Sequence, residues 1–286
     1  MIVVVVSESD PVAVRVADRW GTPPATGDHL DGAATRRLAP EVLLVRRAVR
    51  HIHDEHLDRR LPSTIRERQP TLVFPSIHRS EQNVACLTVH PLGNPGSRAE
   101  FGGRPGSWVP TDARRMAAAL RALAERASST GLAPTFEATH HGPELGLPAF
   151  FVEIGFGTEP GPSDAAISAL AETIPELAPD PSDRIAVGIG GGHYAPHFTE
   201  LVIRRRWAFA HIVSRHALTE LTVDGARAAL ASSAGADGFL FARAQDAEHA
   251  AFRGWARRLR ETEAPLRAPS SEERDPISRA ARPSGT

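Results

Sequence analysis

The run Ile2-Val3-Val4-Val5-Val6 constrains the fold more than any other stretch of this 286-residue chain. Every residue in it is apolar and β-branched, so it suits a strand covered on both faces. Asp10-Pro11 follows, an N-cap residue with proline in the first turn of a helix. Glu41–Val45, Thr71–Phe74, Val84–Val89, Thr135–Thr139, Ala149–Gly155, Ile185–Ile189, Trp207–Val213 and Gly238–Phe241 read as further strands. His51–Arg68, Ser163–Ile174, Thr222–Ser232 and Asp246–Arg260 read as helices, as does the segment opened by Thr111-Asp112, with Met116, Leu120 and Leu123 on one face. Alternation of this kind implies a layered α/β fold. Residues 21–40 read as an irregular excursion and 93–110 as a surface loop. A single α/β domain is expected over residues 1–262, followed by a disordered tail over 263–286 rich in Pro, Ser, Arg and Glu.

Composition excludes several chemistries. Net charge is −1, so no global field draws the chain to nucleic acid, and any RNA contact needs a local patch. The basic runs Arg46–Arg50, Arg204-Arg205-Arg206-Trp207 and Arg253–Arg260 read mainly as solvated faces, with the adjacent tryptophan a weak RNA signal. All 33 basic residues are arginine, which rules out a Schiff base, a P-loop lysine and a kinase-type lysine. The single cysteine, Cys86, lies in an apolar run and reads as a buried, inert thiol; an intracellular location fits. Ile2–Val6 lacks a basic region before it and reads as a first strand rather than a signal peptide. No apolar run approaches the roughly 20 residues of a membrane span.

Chemistry gathers around histidines at strand ends. His140-His141-Gly142-Pro143 cannot continue as a helix, because proline lacks an N–H and fixes its φ, so it reads as a strand opening into a loop. Two vicinal imidazoles serve packing poorly. Gly188-Ile189-Gly190-Gly191-Gly192-His193-Tyr194-Ala195-Pro196 is a second element of the same kind, whose glycines let backbone approach a ligand and offer amides to an anion. His78 and His90 also sit at strand ends, where open α/β sheets collect ligands. Glu153 lies inside the apolar run Phe151–Gly155 and needs a metal, an arginine or a histidine beside it. A lone strand histidine is as well explained by packing, and Glu153 by a structural arginine.

Three motif matches fail. Gly188–His193 has histidine where a dinucleotide fingerprint needs its third glycine, and His141-Gly142-Pro143-Glu144 lacks the helix of a zincin pair. His51-Ile52-His53-Asp54-Glu55-His56 imitates a metallo-hydrolase signature, but the arginines before it favour a solvated helix.

Taken in order, several segments resemble the archaeal and plant type of D-aminoacyl-tRNA deacylase. They are Ser76-Ile77-His78-Arg79-Ser80, Leu87-Thr88-Val89-His90-Pro91, Gly93-Asn94, Glu137–Pro143, Phe151–Gly155, Gly188–Pro196 with Phe198-Thr199-Glu200, and Ala210-His211-Ile212. The resemblance spans roughly residues 1–260. It implies a three-layer α/β/α fold of the phosphorylase/hydrolase-like kind with a mixed, mostly parallel sheet, related to peptidyl-tRNA hydrolase. It also implies zinc, up to two ions, and hydrolysis of the ester between a D-amino acid and the tRNA 3′ end. On this resemblance His78, His90, Glu153 and His211 are the candidate metal ligands. His140, His141, His193 and Tyr194 are the candidate catalytic groups, with ligand and acid–base roles interchangeable among the histidines. Ser76, Arg79, Ser80, Asn94, Gly190, Gly191, Gly192 and Glu200 are the candidates for substrate binding. The implied partner is D-aminoacyl-tRNA met by a cytoplasmic monomer, with no membrane and no DNA. Ile77, Phe156, His197 and Ala210 depart from the residues usual in the family. A metal-free variant, a zinc-dependent peptidase or amidohydrolase acting on small acyl-amino substrates, and a catalytically silent tRNA-binding protein are the competing readings.

Overall fold

The computed structural model describes residues 1–79, 84–157, 161–250 and 252. The expected tail, residues 263–286, and residues 253–260 of the last expected helix lie outside them. The strands are β1 (Ile2–Ser7), β2 (Ala25–Leu30), β3 (Ala33–Ala39), β4 (Val42–Arg47), β5 (Thr71–His78), β6 (Cys86–Pro91), β7 (Gly93–Asn94), β8 (Ser107–Trp108), β9 (Ala133–Phe136), β10 (Ala149–Gly155), β11 (Arg184–Ile189), β12 (Trp207–Val213) and β13 (Ala236–Phe241). The main sheet has the order β2-β3-β4-β1-β5-β10-β6-β9. Its centre, β4-β1-β5-β10, is parallel, and β6 runs antiparallel to β10. A second, wholly parallel sheet has the order β12-β11-β13, and β7-β8 form a short ribbon.

β1 is buried along its whole length, as its composition requires. Helices Pro11–Arg19, Ala113–Glu125 and Asp164–Thr173 bury apolar residues in the core on one face of the main sheet. Residues 51–66 and the segment Leu145–Ala149 supply the smaller core on the other face. Helix Val223–Ala231 contributes to a third core with the outward residues of β11, β12 and β13. The result is the expected α/β layering with a mixed, mostly parallel sheet.

Local chemistry sets the helix starts. The Asp10 carboxylate accepts from the backbone N–H of Val12 and Ala13, both at 2.9 Å, and Ser163 and Thr222 cap their helices in the same way. Met116, Leu120 and Leu123 are fully buried, as their spacing predicts.

Three expectations fail. Residues 21–40 form a β-hairpin rather than an irregular excursion. Its two-residue turn is Asp31-Gly32, both at positive φ (48° and 85°), which suits a strand-compatible reverse turn. The flanking strands are small and polar, so no apolar alternation advertises them. The expected helix over His51–Arg68 is broken into a 3-10 turn (His51–His53) and two short helices (Leu57–Arg60 and Ser63–Arg66). Pro62 and a left-handed His56 interrupt it. Nor is the segment solvated throughout: His51, Asp54 and Asp58 are buried. Within 93–110, expected as loop, β7 and β8 add a two-stranded ribbon.

Among the described residues no helix is long and apolar enough to cross a membrane. Because Leu120 is fully buried between the layers, Leu120→Ala is expected to lower the unfolding free energy by about 2–5 kcal/mol. A shift in the denaturant midpoint measures this; a loss below about 1 kcal/mol would mean the helix packs more loosely than described.

Candidate active site

The period of two along a strand puts three chemical residues on one face. β5 directs Phe74, Ser76 and His78 to that face, β10 directs Phe151 and Glu153, and antiparallel β6 directs His90 and Thr88. In register, Phe151 pairs with Phe74 and His90, and Glu153 pairs with Ser76 and Thr88. Phe151 stacks on the His90 ring (5.1 Å between centroids, 3° between planes) and forms an apolar floor. Gly155 stands beside His78, where an added Cβ would approach its Cδ2 to 3.0 Å, so glycine here makes room for the imidazole.

A residue that strand reasoning passed over completes the centre. Glu137, immediately after β9, is fully buried. Its amide bonds to the Val89 carbonyl, and it pairs with Tyr194 across an antiparallel bridge. Ala138 N–H donates to the His193 carbonyl at 2.8 Å and Ala195 N–H to the Phe136 carbonyl at 2.9 Å, which fastens the segment after β11 alongside Glu137. Oε1 of Glu137 lies 3.1 Å from His78 Nδ1, and Oε2 lies 3.1 Å from His193 Nε2 and 3.5 Å from His140 Nε2. Glu153 Oε2 lies 3.4 Å from His78 Nδ1 and 3.6 Å from His90 Nε2. Tyr194 Oη stands 2.9 Å from His78 Nε2. The rings of His90 and His140 are 4.2 Å apart, and His141 closes the group at 4.4 Å from His140 and 4.9 Å from His90.

Burial would raise the Glu153 carboxyl, but the facing His78 and His90 imidazoles outweigh it and hold the group below the usual carboxylate range. Glu137 is also held down, burial being outweighed by His193 and by the charges of His90 and His78. Burial lowers both His78 and His90, yet the facing carboxylates raise them on balance. His140 and His141 have no such compensation. Burial, with the neighbouring His90 charge, pushes His141 down to about 4 and His140 well below its ordinary value. One pocket thus shifts its imidazoles in opposite directions, His78 and His90 upward and His140 and His141 downward.

His78, His90, His140, His141, Glu153, His193 and Tyr194 converge as expected, and three donor groups lie within metal-binding reach: His90-His140-His141, His78-Glu137-His193 and His90-Glu137-Glu153. Several of the remaining candidates are committed to other partners. His211 is no ligand in this arrangement. Its Nδ1 meets the Thr139 hydroxyl and its Nε2 the Ser232 hydroxyl, both at 3.1 Å, and burial pushes it down to about 3. The Ser76 hydroxyl donates to Asp10 at 2.8 Å, and the Asn94 amide donates to the Gly102 carbonyl at 2.9 Å, so both brace the scaffold. Glu200 pairs with Arg204 one helical turn away. The Gly190 amide is spent on the Val213 carbonyl. Gly190 and Gly191 adopt positive φ (107° and 84°), which turns the chain out of β11 toward Gly192 and His193. Arg79 is exposed at the end of β5, and Ser80 lies outside the described residues. The His51–His56 segment forms no metal centre among the described residues. Asp54 is bound by Arg47 and Arg60, and His51 Nε2 accepts from the Ser7 amide at 2.8 Å. Burial pushes the Cys86 thiol up to about 12, consistent with inertness. Of the four departures, Ile77 and Phe156 pack on the main core and Ala210 is buried in β12.

Glu137 could have been found by the argument applied to Glu153. It is a carboxylate flanked by Phe136 and Ala138 in a strand-like run, three residues before a histidine pair.

A family model for D-aminoacyl-tRNA deacylase matches residues 65–259. Among curated proteins, a D-aminoacyl-tRNA deacylase of Thermoplasma acidophilum is 34% identical over 217 residues, covering 76% of this chain and 80% of that protein. One of Methanosphaerula palustris is 41% identical over 175 residues, 60% of this chain, and the match spans only 38% of that protein. One of Pyrococcus abyssi is 36% identical over 170 residues, 58% of this chain and 62% of that protein. A crystal structure of a conserved protein of unknown function, AF0625, superposes with a TM-score of 0.80 at 26% identity, covering 96% of each chain.

His211 generates a pH prediction. Between about pH 3 and its ordinary value of 6.5, the unfolded chain takes up a proton that the folded protein refuses. Stability therefore rises with pH through that window and declines on acidification. His211→Gln is expected to flatten this slope in denaturant titrations at a series of pH values. An unaltered slope would assign the acid sensitivity to other groups.

Proposed function

This chain belongs to the D-aminoacyl-tRNA deacylase family, and on that premise we propose that its histidine–glutamate pocket hydrolyses the ester joining a D-amino acid to the 3′ end of tRNA. The observation that carries the reading is the meeting of two buried carboxylates, five imidazoles and one phenol at a single sheet end. Such a set lies beyond what packing requires, and it offers the bases, acids and ligands that ester hydrolysis uses.

Zinc fits the donors. Both oxygens of Glu137 and Nε2 of His90 are buried without completing a hydrogen bond, an expensive condition that a cation relieves. His90, His140 and His141 would hold the ion, and Glu137 and Glu153 form a separate donor group with His90. Bound there, Zn2+ supplies Lewis acidity to the ester carbonyl. The protein's own groups do the rest. His193, 43% exposed, stands between solvent and the Glu137 carboxylate, which orients it to take a proton from the attacking water. Tyr194, bonded to His78, gives a proton to the departing ribose oxygen. His78, faced by both carboxylates, restores it. The Gly191 and Gly192 amides, on the turn before His193, are the candidates to stabilise the tetrahedral oxyanion. No specific observation favours the peptidase or amidohydrolase reading.

Purified protein is expected to deacylate D-aminoacyl-tRNA much faster than the L form, and to slow when a chelator is added. Equal rates on the two enantiomers would reject the assignment, and chelator-insensitive turnover would reject the metal. Glu137→Gln keeps the shape but removes the charge, so turnover should fall at least about tenfold and bound zinc should fall with it. Wild-type turnover and zinc content in this variant would remove Glu137 from the site.

A further inference from the structure

The large hydrophobic side chains exposed among the described residues are Val49, Val84, Phe101 and Ile203, and only Phe101 is aromatic. It is 60% exposed, so it forgoes most of the roughly 1.5–3 kcal/mol that burying such a ring would contribute. A solitary exposed ring needs no explanation by itself. The position of this one, and the rigidity of its mounting, do.

Phe101 sits at the tip of the 96–106 loop, whose base is closed by the Gly106 amide on the Gly96 carbonyl (2.9 Å). At the tip, the Phe101 carbonyl accepts from the amide of Gly142, the residue after His141, at 3.0 Å. The Gly102 carbonyl accepts from the Asn94 side chain, and the Glu55 carboxylate takes the amides of Gly103 (2.7 Å) and Glu144 (2.5 Å) together. The loop and the histidine turn touch backbone to backbone. A Cβ on Gly142 would come within 2.4 Å of Gly103 N, and one on Gly102 within 1.7 Å of the Ile52 carbonyl oxygen. The chain therefore spends glycines, a buried amide and a shared carboxylate on fixing an uncovered aromatic ring beside the vicinal histidines.

We infer that Phe101 is the stacking platform for the base of the 3′-terminal nucleotide of the substrate RNA, and so a specificity-determining residue. This rests on the deacylase reading, for a geometric reason. The base is attached to the very ribose whose oxygen leaves, so when the ester enters the histidine cluster the base must land at the pocket rim. Unpaired RNA ends are taken up in this way, on aromatic faces, because every base offers a π-face. Arg98 and Arg104 lie on the same loop, 79% and 72% exposed, within a few residues of the ring, and their present partners, Glu100 and Glu144, would have to yield them to RNA. They are suited to the phosphates that precede the terminal nucleotide. No covalent step is involved; the platform acts on binding.

The test is equilibrium binding of two trinucleotides, CCA and the same RNA with an abasic 3′ residue, to the full chain. Wild type is expected to prefer CCA by about tenfold, the size of one base stack. Phe101→Ala should abolish the preference by weakening CCA alone, and Phe101→Trp should restore it. Thermal melting should be unchanged in both variants, since the ring is exposed. A wild-type protein without the preference, or a Phe101→Ala variant that keeps it, overturns the proposal. Should the preference depend on Phe101 while the protein leaves D-aminoacyl-tRNA intact, the deacylase reading fails and the stacking platform stands.

Discussion

Two carboxylates buried side by side are the constraint around which this molecule is organised. Glu137 and Glu153 lie in the same pocket, out of water and facing the same imidazoles. An isolated buried carboxylate is costly, and two near each other add repulsion. The pocket is tolerable only because imidazoles face both, and those come from distant parts of the chain. His78 arrives on β5, His90 on β6 and His193 after β11. Folding and site assembly are thus one event, since displacing any of these segments leaves negative charge unmatched. The aromatic floor of Phe74 and Phe151 sharpens the effect by keeping the local dielectric low.

Around the cluster lies a bracing layer made of residues that look reactive by type. The second oxygen of Asp10 reaches the Ser76 hydroxyl and the Ile77 amide, so a helix cap also fixes the strand that ends at His78. Thr139 bonds His211 and the Ile212 amide, tying the strand end that carries His140 to the second sheet. Thr199 reaches from helix Pro196–Arg204 to the Phe136 amide, one residue before Glu137. Each is a polar group satisfied internally, and each transmits the position of a rigid element to an imidazole or carboxylate. Such internal bonds hold the geometry of a site fixed.

The parallel centre of the sheet decides where that geometry can form. β5 and β10 run the same way, so their carboxyl ends open together, and antiparallel β6 brings His90 back into the same row. The second sheet supplies the rest through the glycine turn after β11, and the 96–106 loop borders the result on the solvent side. The strands thus supply His78, His90 and Glu153, and the segments after β9 and β11 supply Glu137, His140, His141 and His193.

Much of this was legible in residue order. The β-branched first strand, the capped helices and the glycine turn followed from side-chain stereochemistry and backbone freedom, which act locally. The meeting of His140-His141 and Glu153 in one buried cluster was foreshadowed by the oddity of polar groups in apolar runs. The hairpin at 25–39 stayed hidden because its strands are polar; the break in 51–68 comes at Pro62, which the sequence does show, and at a left-handed His56, which no residue type announces. Which histidines face the carboxylates, and which are satisfied elsewhere, depended on strand register. His211 and His90 look alike as isolated strand histidines, yet one is capped by two hydroxyls and the other points at Glu153. Sequence alone determined the kinds of groups available and the layered fold that carries them. Only the tertiary structure decided their partners, because a carboxylate's neighbours are set by three-dimensional packing rather than by distance along the chain.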